Sequence, residues 1–403
     1  MSPKIEDLEL ARRRLAGVIR PTPLMRSATL SRMLGAELYV KAENLQKTGS
    51  FKIRGAYNRV AVLSAEEAAR GAVAASAGNH GQALAYAASR AGVRATIVMP
   101  TTAAIAKVDA TRSYGQNVEL EGVDYLEARR AAEGLCAHTG AVFVDAYDDP
   151  FVIAGQGTVG LEIADEVEPD YVLVPAGGGG LLAGIAIAMA ARAPRARLVG
   201  VEAEGSAQLR LSLARGEPAT VPTAVDTIAD GLATGRIGNL PFEILRDRLD
   251  RVVTVDDFEI GEAVLLLLER MKLLAEGAGA AALAGALKMR DVLFGRRVVI
   301  VLSGGNIDVN LLDRIIGHGL AKAGRLVRLT VEMRDRPGEL GRLLALVAEI
   351  GANVHAIEHD RTRRDVRIGG ALVTIELETR GSDHIDRIRD ALATHGHRVV
   401  VEN

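Results

Sequence analysis

From about residue 70 onward, short apolar runs alternate with longer stretches whose apolar positions recur at helical spacing, and glycine-rich turns separate them. The runs are Gly71–Ala75, Ala95–Met99, Asn117–Leu120, Val142–Val144, Tyr171–Val174, Leu198–Val201 and Arg297–Leu302. Helical patterns such as Asn79–Ala91, Ile105–Tyr114 and Tyr125–His138 follow most of them. Strands that are apolar almost throughout, alternating with helices, predict buried parallel sheets with helices on both faces, an α/β architecture. In such sheets ligands bind beyond the carboxyl ends of the strands, so the loops after strands are where chemistry is expected.

The rhythm changes near Ala321-Lys322-Ala323-Gly324-Arg325. Beyond it Val327–Met333 alternates as a strand, and Pro337-Gly338-Glu339 opens a helix reaching Ile350. Val354–Ile357 and Ala371–Leu377 read as strands, Ile385–Thr394 as a helix, and Arg398–Val401 as a last strand. This βαββαβ order is a ferredoxin-like α+β unit. The expected division is therefore 1–323 and 324–403.

Composition narrows the function classes. A length of 403 residues suits two or three domains. With 48% hydrophobic and 25% charged residues, the chain is globular rather than disordered. The net charge of −2, without a basic run or basic–aromatic stripe, argues against a nucleic-acid partner. The lone cysteine, Cys136, cannot form an internal disulfide and suits a reducing cytosol. Met1-Ser2-Pro3-Lys4 leads into a charged amphipathic helix rather than an apolar signal core, and the apolar helix Leu181–Ala191 is too short to span a bilayer. A cytoplasmic protein is expected.

Three loops carry candidate chemistry. The strand Tyr171–Val174 runs through Pro175-Ala176 into Gly177-Gly178-Gly179-Gly180-Leu181 and a helix, a cradle in which backbone N–H groups and a helix N-terminus face an anion. It is no Walker A loop, because no Gly-Lys-Ser/Thr follows. Gly178-x-Gly180-x-x-Ala183 also fits a dinucleotide fingerprint, with Glu202 about twenty residues on as a ribose partner, so an NAD-dependent dehydrogenase competes for the loop. The second loop, Ser76-Ala77-Gly78-Asn79-His80, suits a carboxylate at a helix start, or simply caps that helix. The third, Ser303-Gly304-Gly305-Asn306, presents one neutral hydroxyl at the end of a strand, or is only a turn. Earlier in the chain, Lys52 stands between Phe51 and Ile53, where an apolar wall would desolvate its amine. His355-x-x-Glu358-His359 spells an inverted zincin motif, but that chemistry needs a helix and this stretch reads as a strand, so no metal is assigned.

A lysine amine, a phosphate cradle, a carboxylate turn and a hydroxyl at a sheet edge suggest pyridoxal 5'-phosphate (PLP). The segments Ser50–Ala56, Ser76–His80, Gly177–Leu181 and Ser303–Asn306 resemble those of fold-type II (tryptophan synthase β-like) PLP enzymes, and within these the threonine ammonia-lyase (threonine dehydratase) family, over about residues 4–320. Asp335–Leu340 and Gly351–Val354 resemble an ACT regulatory domain. The resemblance implies a two-lobed catalytic domain, with a smaller lobe of roughly 52–148 inserted in the larger. It implies that Lys52 holds PLP as a Schiff base and takes the substrate's α-proton. Phe51 and Asn79 would contact the ring, Gly177, Gly178, Gly179, Gly180 and Leu181 the phosphate, and Ser303 the pyridine nitrogen. Ser76, Ala77, Gly78, Asn79 and His80 would line the substrate carboxylate site.

The activity so implied is β-elimination of L-threonine to 2-oxobutanoate and ammonia, and of L-serine to pyruvate. A neutral serine at the pyridine nitrogen weakens the ring as an electron sink and favours prompt elimination over transamination. Serine racemases resembling this chain carry a second serine where this one has Ala77, so racemisation should be poor. The same relatives place a divalent cation near Glu202, where this sequence offers Ser206 and Gln208. The ACT resemblance implies a homo-oligomer, a dimer or tetramer, that binds an amino acid such as isoleucine or valine. The alternatives are a serine or 3-hydroxyaspartate dehydratase of the same fold, the dehydrogenase, and a non-catalytic amino-acid sensor.

Overall fold

A computed structural model describes residues 2–221, 226–362 and 366–402. The chain divides into two compact units, Met1–Asp308 and Val309–Asn403.

Among its described residues the first unit contains ten strands: β1 (Leu24–Arg26), β2 (Glu37–Ala42), β3 (Ala72–Ala75), β4 (Ala95–Met99), β5 (Asn117–Leu120), β6 (Val142–Phe143), β7 (Tyr171–Pro175), β8 (Arg197–Ala203), β9 (Arg251–Val255) and β10 (Arg297–Leu302). They form a six-stranded sheet, ordered β1-β2-β10-β7-β8-β9, and a four-stranded sheet, ordered β5-β4-β3-β6. Every pairing is parallel except β1 with β2. The second sheet draws its strands from residues 72–143, within the range expected for an inserted lobe. Strands β3 and β7 are buried at every position, which is why they read as unbroken apolar runs.

The helix Pro150–Glu166 begins at an Asp149 side-chain cap with proline at its first position. It packs against the helix Gly180–Arg192 so tightly that a Cβ on Gly184 would lie 2.5 Å from Gly157 N and 2.6 Å from Ile153 O. That contact fixes the helix that follows the glycine loop.

Strands β1, β2 and β9 lie outside the expected runs. Strand β2 is broken in sequence by Lys41, a charge in a strand interior. In the structure Lys41 is fully buried and donates to Thr22 O at 2.6 Å while pairing with Glu162 at 2.7 Å. Beside it the buried Arg54 grips Glu43 and Glu162, so the charges cancel inside the fold.

The second unit opens with the helix Val309–Lys322, which contacts strand β11 (Leu326–Arg334). The division expected at 323/324 followed a change in the strand–helix rhythm, whereas this contact places the helix with the second unit. Strands β12 (Asn353–Asp360), β13 (Gly370–Glu378) and β14 (Arg398–Glu402) complete an antiparallel sheet ordered β12-β13-β11-β14. The helices Glu339–Glu349 and Ser382–Thr394 give the βαββαβ order. Leu329, Val331, Leu343, Val347, Ile375, Ile388 and Leu392 form its buried core. His355, Glu358 and His359 all lie on β12, not on a helix.

Candidate active site

Four loops at the carboxyl ends of parallel strands converge in the first unit: those after β3, β6, β7 and β10. They surround a cavity of about 300 Å³ lined by Phe51, Lys52, Ser76–His80, Gly177–Leu181 and Ser303. Every residue singled out from the sequence for the site thus faces one space. Asn306, Glu276, Tyr125, Ala146, Tyr147, Lys107 and Asp230 line it as well.

Lys52 is the first residue of the helix Lys52–Val60. The turn before it is stitched to the end of β10: Ser50 bridges Gly304, and Phe51 N donates to Ser303 O at 3.1 Å. Lys52 Nζ donates to Ala146 O at 3.2 Å and lies 5.2 Å from the centre of the Phe51 ring. Burial pulls its amine down to about 8, against the pull of Asp145 and Glu276 in the other direction. A position at a helix N-terminus also disfavours a cation. The amine is therefore a usable base and nucleophile near neutral pH.

The glycine loop permits close backbone approach. A Cβ on Gly178 would sit 2.2 Å from the Tyr147 ring, and one on Gly180 would sit 2.9 Å from Tyr147 Cα. Gly179 has φ +89°, a conformation that side chains oppose. The helix Gly180–Arg192 starts here, so its unpaired N–H groups end at the cavity. A phosphate fits these donors, and the amine of Lys52 lines the same cavity. The site suits PLP on its own geometry.

The turn after β3 is organised by its own hydroxyl, since Gly78 N donates to Ser76 Oγ at 3.2 Å. Asn79 opens the helix Asn79–Ala91. Its amide donates to Glu276 Oε1 at 2.7 Å and accepts from Asn306 Nδ2 at 2.7 Å, which fixes which way it points. Asn306 Nδ2 also donates to Thr48 O at 2.8 Å. The imidazole of His80 has its Nε2 2.8 Å from Val144 O. A carbonyl only accepts, so Nε2 carries the proton. Burial, then the charge of Lys52, pushes this histidine down to about 4, so it is neutral. Its Nε2–H is thus committed to Val144, while Nδ1 is buried without a hydrogen-bond partner among the described residues.

Sequence reasoning passed over Glu276. It precedes the helix Gly277–Lys288, and burial raises its carboxyl to about 7. Its signal was the small-residue run Gly277-Ala278-Gly279-Ala280: a Cβ on Gly279 would meet Gly304 O at 2.2 Å. That close approach brings Glu276 beside the Ser303 loop. Asn306 lay within a quoted motif without being given a role.

The dehydrogenase reading fails on Glu202. This carboxylate is fully buried and accepts from Leu209 N at 2.6 Å and Arg210 N at 2.9 Å, so it is closed to a ribose. Among the described residues, no cluster of three or more His, Cys, Asp or Glu is placed to hold a metal.

Comparisons with known proteins give the family. A model of the pyridoxal-phosphate dependent enzyme family matches residues 15–304. The L-threonine ammonia-lyase of Thermotoga maritima is 48% identical over 98% of this chain and 98% of its own. Among solved structures, a T.th. threonine deaminase superposes with a TM-score of 0.72 at 41% identity, covering 76% of this chain and 99% of that one. Maize serine racemase gives a TM-score of 0.75 at 34% identity, covering 80% of this chain and 99% of that one.

Proposed function

The chain belongs to the family of pyridoxal-phosphate-dependent enzymes, and from that membership we propose that it eliminates water from L-threonine, the released enamine then being hydrolysed to 2-oxobutanoate and ammonia. The observation that carries this reading is a desolvated amine, Lys52, in one cavity with a glycine cradle and an Asn79–His80 turn. The relative from Thermotoga maritima, similar from end to end, bears the name of that activity.

When bound, PLP supplies an aldehyde for an amine and a ring that draws electrons from the substrate's α-carbon. The residues do the rest. Gly177–Leu181 bind the phosphate through backbone N–H groups. Phe51 and Asn79 would orient the ring, and Ser303, buried and neutral, would face the pyridine nitrogen. Ser76, Ala77, Gly78 and the backbone of Asn79 and His80 take the substrate carboxylate. Lys52 removes the α-proton, and with its amine near 8 a useful fraction is neutral at physiological pH. Ala77 lines the cavity and has no proton to return, so elimination dominates over racemisation. This residue separates the reading from a racemase, because the overall folds of the two are alike.

The βαββαβ unit supports a regulatory role. The solved threonine deaminase is matched almost completely by 76% of this chain, whereas the Thermotoga enzyme extends over nearly all of it. The second unit acts as an ACT domain that pairs between copies and binds isoleucine or valine, which fits an enzyme of isoleucine synthesis. The lone cysteine suits the cytosol.

The test is a substrate profile of the full chain with L-threonine, L-serine and 3-hydroxyaspartate, with and without isoleucine and valine. Threonine should give 2-oxobutanoate with the highest kcat/KM, serine should give pyruvate more slowly, and one of the two effectors should shift the curve. Preference for 3-hydroxyaspartate, or D-serine formed at a rate near elimination, would overturn the assignment.

A further inference from the structure

The glycine loop is also held from behind. Gln208, the first residue of the helix Gln208–Arg215, is fully buried. Its Nε2 lies 3.0 Å from Gly177 O, 3.0 Å from Leu232 O and 3.2 Å from Thr234 Oγ1. Its Oε1 accepts from Ser206 Oγ at 2.7 Å. One amide therefore ties the first residue of the cradle to the 232–234 stretch, and Gly177, Leu232 and Thr234 all line the cavity. The two segments already touch, since a Cβ on Gly177 would lie 3.1 Å from Gly231 O and from Leu232 Cα. Gln208 is anchored in turn: Glu202 clamps the N–H groups of Leu209 and Arg210, and Ser212 Oγ donates to Gln208 O at 2.6 Å.

Peptide geometry connects this tie to the ligand. In a planar trans peptide the C=O and the following N–H point in opposite directions. Fixing Gly177 O toward Gln208 therefore aims the N–H of Gly178 away from it. The next peptide is set in the same manner, because Gly178 O accepts from Gly238 N at 3.1 Å. A buried amide that makes three contacts through one nitrogen is thus placed to set the direction of cradle donors.

We propose that Gln208 is a positioning residue for the cofactor phosphate: by holding Gly177 O against the Leu232–Thr234 wall it aims the Gly178 N–H at the anion. The proposal rests on the PLP reading of the site. Its test is titration of the cofactor-free full chain with PLP and, separately, with pyridoxal, which lacks the phosphate. Binding is followed by absorbance, for the parent, Gln208→Met and Ser206→Ala. Gln208→Met should raise the Kd for PLP 10- to 100-fold and leave that for pyridoxal within threefold. Ser206→Ala, which loosens Gln208 without removing it, should move the PLP Kd about 3- to 10-fold in the same direction, and it carries the comparison if the first variant does not fold. An unchanged PLP Kd in both variants, or equal weakening of PLP and pyridoxal, overturns the proposal. Failure of the parent to bind either compound overturns the PLP reading itself.

Discussion

Replacing Arg54, two residues after the reactive lysine, should cost the first unit much of its stability. Arg54 is fully buried, and its guanidinium spans two carboxylates. Nε and Nη2 each lie 2.8 Å from Glu43, and Nη1 and Nη2 reach Glu162 at 2.5 and 2.9 Å. A further bond to Thr158 Oγ1 at 3.1 Å helps fix the fork. Lys41 and Arg54 balance Glu43 and Glu162, and the half-exposed Glu166 stands 3.7 Å from Lys41 at the edge of the cluster. Arg54→Met leaves Glu43, itself fully buried, with the Thr22 hydroxyl as partner and no cation, while Glu162 keeps Lys41. Breaking such a pair from one side costs about 3–5 kcal/mol, because a desolvated charge remains uncompensated. For a unit of this size that corresponds to a fall in Tm of roughly 5–8 °C. Adding Glu43→Leu removes the stranded charge, and the double variant should recover at least half of the loss. Denaturant and thermal unfolding of the three proteins decide it. A single variant within about 1 kcal/mol of the parent, or a double variant no more stable than the single, would refute the electrostatic explanation.

Two other expectations concern the site. Burial raises Glu276 from 4.5 to about 7, so between those values the folded chain holds a proton that the unfolded chain has released. Stability should fall as pH rises through that window and level off above it. In Glu276→Gln this component, on the order of 3 kcal/mol, should vanish from unfolding measured between pH 4 and 8. Gly180→Ala brings a Cβ to within 2.9 Å of the Tyr147 backbone, so the loop must shift. Cofactor Kd by absorbance titration should rise at least about tenfold, a change of about 1.4 kcal/mol.

The sequence revealed the parts of this molecule in which local pattern and tertiary role coincide. The strands β3, β4, β7 and β10 are apolar because both faces are buried, and the helix Asn79–Ala91 was expected with the bounds the structure shows. Where a charge is cancelled by a distant partner, pattern misleads. Lys41 hid strand β2, although Glu162 neutralises it from over a hundred residues away. The four site loops were legible because glycine and small polar residues follow apolar runs. Glu276 and Gln208 were passed over: the glycine–alanine run after Glu276 marks a close approach without saying to what, a lone amide has no local signature, and each acquires its role only when Asn79 or Gly177 folds against it. His80 was expected at the carboxylate turn, and only the fold shows that its Nε2 is held by the Val144 carbonyl.

The most direct measurement is reduction of the purified full chain with borohydride, followed by peptide mapping and an assay of 2-oxobutanoate from L-threonine. The account predicts a visible absorbance band that borohydride abolishes, a pyridoxyl group on Lys52, and loss of at least about a thousandfold in kcat for Lys52→Ala. A label on another lysine, or a Lys52→Ala protein that forms 2-oxobutanoate at the parent rate, would contradict it.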